Sequence, residues 1–577
     1  MIEARIKTLA ALTTCLALAL CLNLFLFLSA PVEAQVSGAT LSGLITDPSG
    51  AGIPNATVAI KNVETEEVRS VPTNGDGFYS APNLLPGKYE ITITAQGFDK
   101  VVQKGVTLTV GAEQALNLTV KVGQVTQTVE VMAAPPEIQT SSSTISSTVD
   151  ATTIRELPLN GRDWASLAAL EPGVSSIVNQ AQTTFNANKG NRGFGNQLSD
   201  AGHRANENTY RINGVVINDY SNGAPGGPSG LNLGVDGIQE FSVLTTDYTA
   251  EYGRTSGAVI NAITKSGANE LHGNAFIFDR DKIFDAKNFF DPAGPIPSFR
   301  RVQFGGSAGG AIVKDKSFLY GTYEGVRQNR PVSQLIHVPT DAQRAAAVPA
   351  VAPYLKLWPE APAGTPVDSN GELTFGVALP SITTENYATG RFDQQLGTND
   401  KFNASYFWDS GPQSQQAPLE NATHEVFSRR QMASVEETHI FSPSVVNTFR
   451  AGVNRVRGDI NTPVSGSGAA VDPTLAIAPG ATATPQISVS GGVITTAIGL
   501  GGLNRFQHRW TSGQFYDDAF VTRGTHSIKL GFAFERMHYN VLEQLSPNGR
   551  MNNYSSIAAP LKQCSGPAQR FGSGRIE

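Results

Sequence analysis

Ser527-Ile528-Lys529-Leu530-Gly531-Phe532-Ala533-Phe534-Glu535 is the stretch whose reading decides the fold. In an extended chain Ile528, Leu530, Phe532 and Phe534 fall on one face, while Ser527, Lys529, Gly531 and Glu535 fall on the other. One face is apolar without interruption and the other is small or charged, the signature of a strand with lipid on one side and a wet lumen on the other. The same alternation sets Phe402, Ala404, Tyr406 and Trp408 against Lys401, Asn403 and Ser405. It also sets Phe449, Ala451 and Val453 against Thr448, Arg450 and Asn454.

Working outward, about nine such strands are expected, at 269–281, 298–311, 315–328, 384–396, 399–410, 427–441, 444–457, 508–522 and 525–541. The connections at 312–314, 397–398, 442–443 and 523–524 are very short, and those at 282–297, 329–383, 411–426 and 458–507 are long. Short and long alternate strictly. Outer-membrane barrels have short periplasmic turns and longer extracellular loops, so this spacing assigns a topology without reference to any relative.

Composition agrees with a β-rich, turn-rich chain. Charged residues are 16% of the 577 and glycines number 58. The formal net charge is −6 and no dense Lys/Arg tract occurs, which excludes the electrostatic footprint of a nucleic-acid binder. Residues 1–34 read as a signal peptide: Arg5 and Lys7 precede an apolar run from Leu9 to Leu28, and Val32-Glu33-Ala34 offers small residues for cleavage. Cys15 and Cys21 leave with that segment, so Cys564 alone stays and no internal disulfide can form. No other stretch is apolar over 18 residues, so further insertion in a membrane must use strands.

Between about Ala39 and Val122 short alternating segments are broken by Asp47-Pro48-Ser49-Gly50 and Asn74-Gly75-Asp76-Gly77, both strong turn sequences. The series Ile53-Pro54-Asn55-Ala56-Thr57-Val58, Gly77-Phe78-Tyr79, Leu85-Pro86-Gly87-Lys88-Tyr89 and Gly97-Phe98 resembles the carboxypeptidase regulatory-like domain. That resemblance implies a transthyretin-like β-sandwich, grouped with carbohydrate-binding-like folds, over 35–123. It implies no carboxypeptidase chemistry. No His-Glu-x-x-His pattern occurs, and His424-Glu425 lacks a second histidine at zinc spacing.

A connector is expected at 124–148, because Ala134-Pro135-Pro136 and the Ser/Thr tract at 140–148 favour an extended, mobile chain. Within it Val129, Glu130, Val131, Met132 and Ala133 resemble a TonB box, the peptide gripped by a TonB-type energy-transducing partner through strand addition. The alternative, that this segment is the last strand of the sandwich, stays open.

Leu157-Pro158-Leu159-Asn160-Gly161-Arg162, Pro172-Gly173-Val174, Arg211-Ile212-Asn213-Gly214-Val215 and Ile238-Gln239-Glu240-Phe241 lead to Tyr248-Thr249-Ala250-Glu251-Tyr252-Gly253-Arg254-Thr255-Ser256-Gly257. This order resembles the plug of the Oar-like TonB-dependent receptors, and implies an α+β plug over 149–267. Asn213 stands where that family commonly has Asp. Leu271-His272-Gly273-Asn274-Ala275-Phe276, Asn288-Phe289-Phe290 and Tyr323-Glu324-Gly325-Val326-Arg327 continue the resemblance into the barrel at 268–577. Arg192, Arg204, Arg211 and Arg254 are candidates to grip the wall or a ligand, with Glu207, Asp219, Glu240 and Glu251 as nearby counter-charges.

The fold class expected is mainly β: a transthyretin-like sandwich, an α+β plug and a partial antiparallel outer-membrane barrel. The resemblance implies roughly 22 strands for a whole receptor, so the chain reads as a C-terminally truncated fragment. Catalytic, cofactor and metal residues are all expected to be none. Gly305-Gly306-Ser307-Ala308-Gly309 fits a hydrolase pattern but lies in a strand rather than at a strand-to-helix elbow, and the eight histidines show no His–His ligand spacing. The implied function is an outer-membrane receptor, its sandwich in the periplasm, that captures a ligand at extracellular loops and imports it by TonB-driven plug movement. The sequence does not fix the ligand, carbohydrate and peptide being the classes considered, and the alternatives are a non-transporting surface binder or adhesion protein of the same architecture, or a non-functional gene fragment.

Overall fold

The computed structural model describes residues 38–123, 128–131, 144–177, 193–461 (save 290, 293, 348, 350, 351, 370 and 417–422), 472–477, 484–489, 505–544 (save 525) and 550–554. The signal segment, Arg192, Met132, Ala133 and Cys564 lie outside these residues.

The first module contains β1 (Ala39–Thr46), β2 (Thr57–Asn62), β3 (Val68–Pro72), β4 (Phe78–Leu84), β5 (Gly87–Thr94), β6 (Lys100–Leu108), β7 (Glu113–Ala115), β8 (Leu118–Thr119) and β9 (Thr128–Val131). One sheet runs β4-β1-β7 with β8 also on β1, and the other runs β3-β2-β5-β6-β9. Alternation dictates the packing. Leu41 and Ile45 of β1, Val58 and Ile60 of β2, and Ile91 and Ile93 of β5 point into one apolar core. Turn chemistry sets the register: Asp47 Oδ1 accepts from the backbone of Ser49 (2.8 Å) and Ala51 (3.0 Å), and Asn74 Oδ1 from Asp76 and Phe78 (both 2.9 Å). Gly43 has no room for a side chain, since a Cβ there would sit 1.9 Å from the Leu116 carbonyl oxygen.

The second module contains β10 (Ile145–Asp150), α1 (Ala151–Glu156), β11 (Val174–Ile177), β12 (Gln197–Asp200), β13 (Thr209–Ile212), β14 (Val215–Val216), β15 (Ile238–Thr246) and β16 (Val259–Thr264). Its main sheet has the order β10-β15-β16-β13-β14. Asp150 caps α1 by accepting from Thr153 N at 2.7 Å. Asn213 (φ 50°) and Gly214 (φ 75°) form the left-handed pair that a two-residue hairpin turn between β13 and β14 requires.

The third module holds β17 (His272–Asp281), β18 (Arg300–Val313), β19 (Ser317–Asn329), β20 (Val332–Val338), α2 (Asp341–Ala345), β21 (Leu373–Leu379), β22 (Ser381–Gln395), β23 (Asp400–Gln416), β24 (Thr423–Ser442), β25 (Val445–Asn461), β26 (Gln486–Val489), β27 (Arg505–Arg523), β28 (His526–Gln544) and β29 (Arg550–Tyr554). Nine of them form one antiparallel wall, β17-β18-β19-β22-β23-β24-β25-β27-β28, with β17 and β28 at its two ends. On β28 Ile528, Leu530, Phe532 and Phe534 are all exposed, while Lys529, Gly531, Ala533 and Glu535 turn toward the plug side. That is the lipid-out, polar-in face expected from the alternation. Among the described residues no helix is long and apolar enough to cross a membrane.

Two expectations need correction. The tract at 140–148 is not connector throughout, because β10 pairs antiparallel with β15 from Ile145 to Asp150; Ser and Thr suit an exposed strand as well as a linker, and the β15 edge supplies the hydrogen bonds. Nor is 329–383 simply a loop. β20 and β21 pair in register from Val332↔Leu379 to Val338↔Leu373 and prolong the β19–β22 hairpin beyond the wall. Reciprocal backbone bonds between Arg330 and Ser381 (2.8 and 3.1 Å) carry the pairing past Pro331 and Pro380.

Candidate functional site

The plug packs on the inner face of the wall through a seam of side-chain hydrogen bonds. Gln514 of β27 binds Val216 as a backbone would, accepting from its N–H and donating to its carbonyl oxygen, both at 2.9 Å. Asn454 of β25 donates to the Asn218 carbonyl at 2.8 Å. Arg391 of β22 donates to the Thr264 carbonyl at 3.1 Å and to Asp393, which in turn accepts from Ser266 at 2.7 Å. Asn213 donates to Ser405 of β23 and to Thr264, both at 2.9 Å, while its own oxygen accepts from Thr264 N at 3.0 Å. The amide thus serves as donor and acceptor at once, which an ionised Asp at this position could not.

At the centre of the seam Arg162 joins Asp236 (2.5 Å) and Glu324 of β19 (3.3 Å), and its guanidinium lies 3.9 Å over the Phe276 ring of β17. Glu324 also accepts from Gly234 N (2.9 Å) and Gln303 (2.6 Å). Nearby, Asp163 is buried with donors from Asn196 (2.6 Å) and Asn232 N (3.2 Å). Burial outweighs those donors and pushes its carboxyl up to about 6. Apolar contact completes the joint: Val326, Tyr387, Phe407 and Met432 from the wall belong to the same core as Trp164, Phe241 and Ile260 of the plug.

Of the four arginines singled out from the sequence, Arg192 lies outside the described residues, and the other three have different surroundings. Arg254 reaches Glu535 of β28 at 3.0 Å; Arg211 is buried with its guanidinium 5.3 Å from the Tyr252 ring; Arg204 is exposed. Of the counter-charges suggested by proximity in sequence, Glu207 stays with Arg204 and the others make contacts elsewhere. Glu251 pairs with Lys529 of β28, Glu240 accepts from the Val110 N–H of the sandwich, Asp219 caps Ser221 at 2.8 Å, and Glu207 accepts from Arg204 N at 3.0 Å. Arg162 was missed although it ends the quoted Leu157–Arg162 block. Its left-handed backbone (φ 55°) follows Gly161 (φ 81°), and that geometry, which aims it at the wall, has no mark in composition.

The sandwich meets the short-turn end of the wall. Asn83 donates to Thr438 (3.1 Å) and Thr448 (2.8 Å), Asn74 to the Gly524 carbonyl (3.0 Å), and Glu67 pairs with Lys401. A module tied on solely by its connector would make no such contacts. β9 adds to the sandwich sheet in parallel, with Val129 opposite Val101, Glu130 opposite Val102 and Val131 opposite Gln103. Ser307 lies within β18, bonded to Asn274 (2.7 Å) and Tyr320 (3.0 Å). Two mixed clusters of potential metal ligands occur among the described residues, His337 with Asp368 and Glu372, and His439 with Asp400 and Glu437. A search for paired histidines could not find them, since each set joins one histidine to carboxylates.

A wall of lipid-facing strands with a separate sheet seated on its inner face defines a plugged outer-membrane barrel architecture. The family model described as outer membrane beta barrel domain matches residues 263–353 and 347–571, and that described as carboxypeptidase regulatory-like domain matches 40–121. The first spans more than half of the chain, which belongs to the outer membrane beta barrel domain family and is a protein of the outer membrane. The chain is 27% identical over 308 residues to the TonB-dependent transporter Oar of Myxococcus xanthus, a match that takes in 50% of this chain and 27% of that one. Among solved structures it is similar to the outer membrane transporter YddB of Escherichia coli (TM-score 0.39, 12% identity, 69% of this chain and 54% of that). It is similar also to the alcaligin outer membrane receptor FauA of Bordetella pertussis (TM-score 0.37, 11% identity, 70% and 57%).

Proposed function

We propose that this chain serves a TonB-dependent outer-membrane receptor that captures its ligand at the long loops and imports it when a TonB-type partner pulls on the plug. The observation that carries this reading is the plug–wall seam. Its bonds at Gln514, Asn454, Arg391 and Arg162 are polar, and water can replace such bonds one at a time when the plug moves. A joint made of apolar contact alone would resist that exchange. β10, the strand nearest the candidate coupling segment, sits at the edge of the plug sheet, so a pull from the N-terminal side acts first on its ladder with β15.

Val129-Glu130-Val131-Met132-Ala133 is the segment proposed to be gripped, and β9 is already held at the sandwich edge by the same strand addition that a partner would use. Arg254 and Arg211 are proposed as structural contacts rather than ligand contacts. On this reading the protein has no catalytic role, the sandwich lies in the periplasm, and the ligand class, carbohydrate or peptide, is set by the long loops.

The test is a pulldown of the full chain in detergent with the C-terminal domain of a TonB protein, comparing wild type with Val129→Pro and Val131→Pro. Proline removes a ladder donor. Capture should fall at least tenfold in either variant while the sandwich keeps its thermal transition. Unchanged capture would favour the surface-binding alternative.

A further inference from the structure

The wall's longest hairpin carries a group of ligating side chains that the transport reading does not use. His337 lies on β20 directly opposite Thr374 on β21. Asp368 N donates to the Glu372 carbonyl at 2.7 Å and Gly371 N to the Asp368 carbonyl at 3.0 Å, and the carboxylates of Asp368 and Glu372 converge on the imidazole. Ligand atoms of His337, Asp368 and Glu372 all lie within 4.8 Å of one another. Ligands bound at about 2.1 Å in a tetrahedral array lie about 3.4 Å apart, so at most about 1.4 Å of adjustment closes the set.

We propose that His337, Asp368 and Glu372 form a site for a divalent transition-metal ion that staples the 368–372 turn to the β20–β21 hairpin. One imidazole nitrogen with two carboxylate oxygens is a zinc- or manganese-type donor set; calcium and magnesium sites are built from oxygen. The surroundings position the ligands. The Thr374 hydroxyl is 2.8 Å from His337 Nδ1 and donates to Asp368 Oδ2 at 2.8 Å, and Asp368 Oδ1 accepts from Glu372 N at 3.0 Å. The left-handed Gly371 (φ 78°) permits the turn. Glu372 is 1% exposed, and a bound cation would favour two carboxylates held this close. The His439 group is more exposed: His439 and Asp400 are 33% and 40% exposed, against 17% and 21% for His337 and Asp368, and their contact is closer, 2.6 Å against 3.4 Å. It is the natural control.

The experiment loads the chelator-treated full chain in detergent with Zn²⁺ and measures bound zinc per chain by mass spectrometry, with affinity from competition against a chelating dye. Amide exchange of residues 365–379 is followed with and without the metal. Wild type should hold zinc with micromolar or tighter affinity and slow exchange in that stretch. His337→Gln and Glu372→Gln should each weaken binding by at least the ~10–100-fold that losing an outer-shell partner costs, and His439→Gln should not. Metal-free exchange of β20 and β21 in the variants should equal metal-free wild type, which separates ligand loss from misfolding. Absence of zinc binding by wild type, binding that survives His337→Gln, or binding without slowed exchange at 365–379 would each overturn the proposal.

Discussion

The sandwich and the plug, neighbours in the chain, bury different kinds of side chain. The sandwich core is mainly apolar, with Leu41, Ile45, Val58, Ile60, Ile91 and Ile93 at 1% exposure or less, and buries fewer polar side chains, among them Arg69, Ser80 and Gln103. The plug buries Asp163, Asn208, Arg211, Asn213, Asn218, Asp219, Asn232 and Asp236 alongside its Trp164 and Phe241 core. The first is stabilised by removing apolar area from water, which needs no other module. The second depends on hydrogen-bond partners, and the wall supplies many of them.

That contrast is open to attack at single residues, with amide exchange of each module as the measure. Arg162→Ala leaves the buried Asp236 and Glu324 without their guanidinium partner. It should lower the opening free energy of the plug sheet by about 3–5 kcal/mol and leave β1–β6 unchanged; equal loss in both modules would mean that they unfold as one unit. Ile91→Ala should cost the sandwich about 2–5 kcal/mol with no change at β13–β16. Gln514→Ala leaves the N–H and carbonyl of Val216 without their wall partner, so β14 should lose about 1–3 kcal/mol, while Gln514→Glu should restore only the acceptor half.

The smallest effect is one of pH. The Asp163 carboxyl is raised from 3.8 to about 6 by burial, so the folded plug holds its proton more tightly than the unfolded chain does. Its contribution to stability is complete below 3.8 and is lost as pH rises through about 6. Asp163→Asn should flatten the pH dependence of plug opening across that window. A profile identical to wild type would show that another group governs it.

The amino-acid sequence by itself determined the nine-stranded wall, its short and long connections and the sandwich, because period-2 alternation and turn residues such as Asp47, Asn74 and the Asn213-Gly214 pair act locally. Charges near each other in sequence misled at Glu251 and Arg254, which both find ionic partners more than two hundred residues away. Only the tertiary structure decided which polar side chains meet across the plug–wall seam, that Arg162 rather than Arg204 faces the wall, and that His337 gathers Asp368 and Glu372. Those contacts are set by how separate sheets pack. A strand's alternation says which face a residue takes, and carries no information about what lies opposite it.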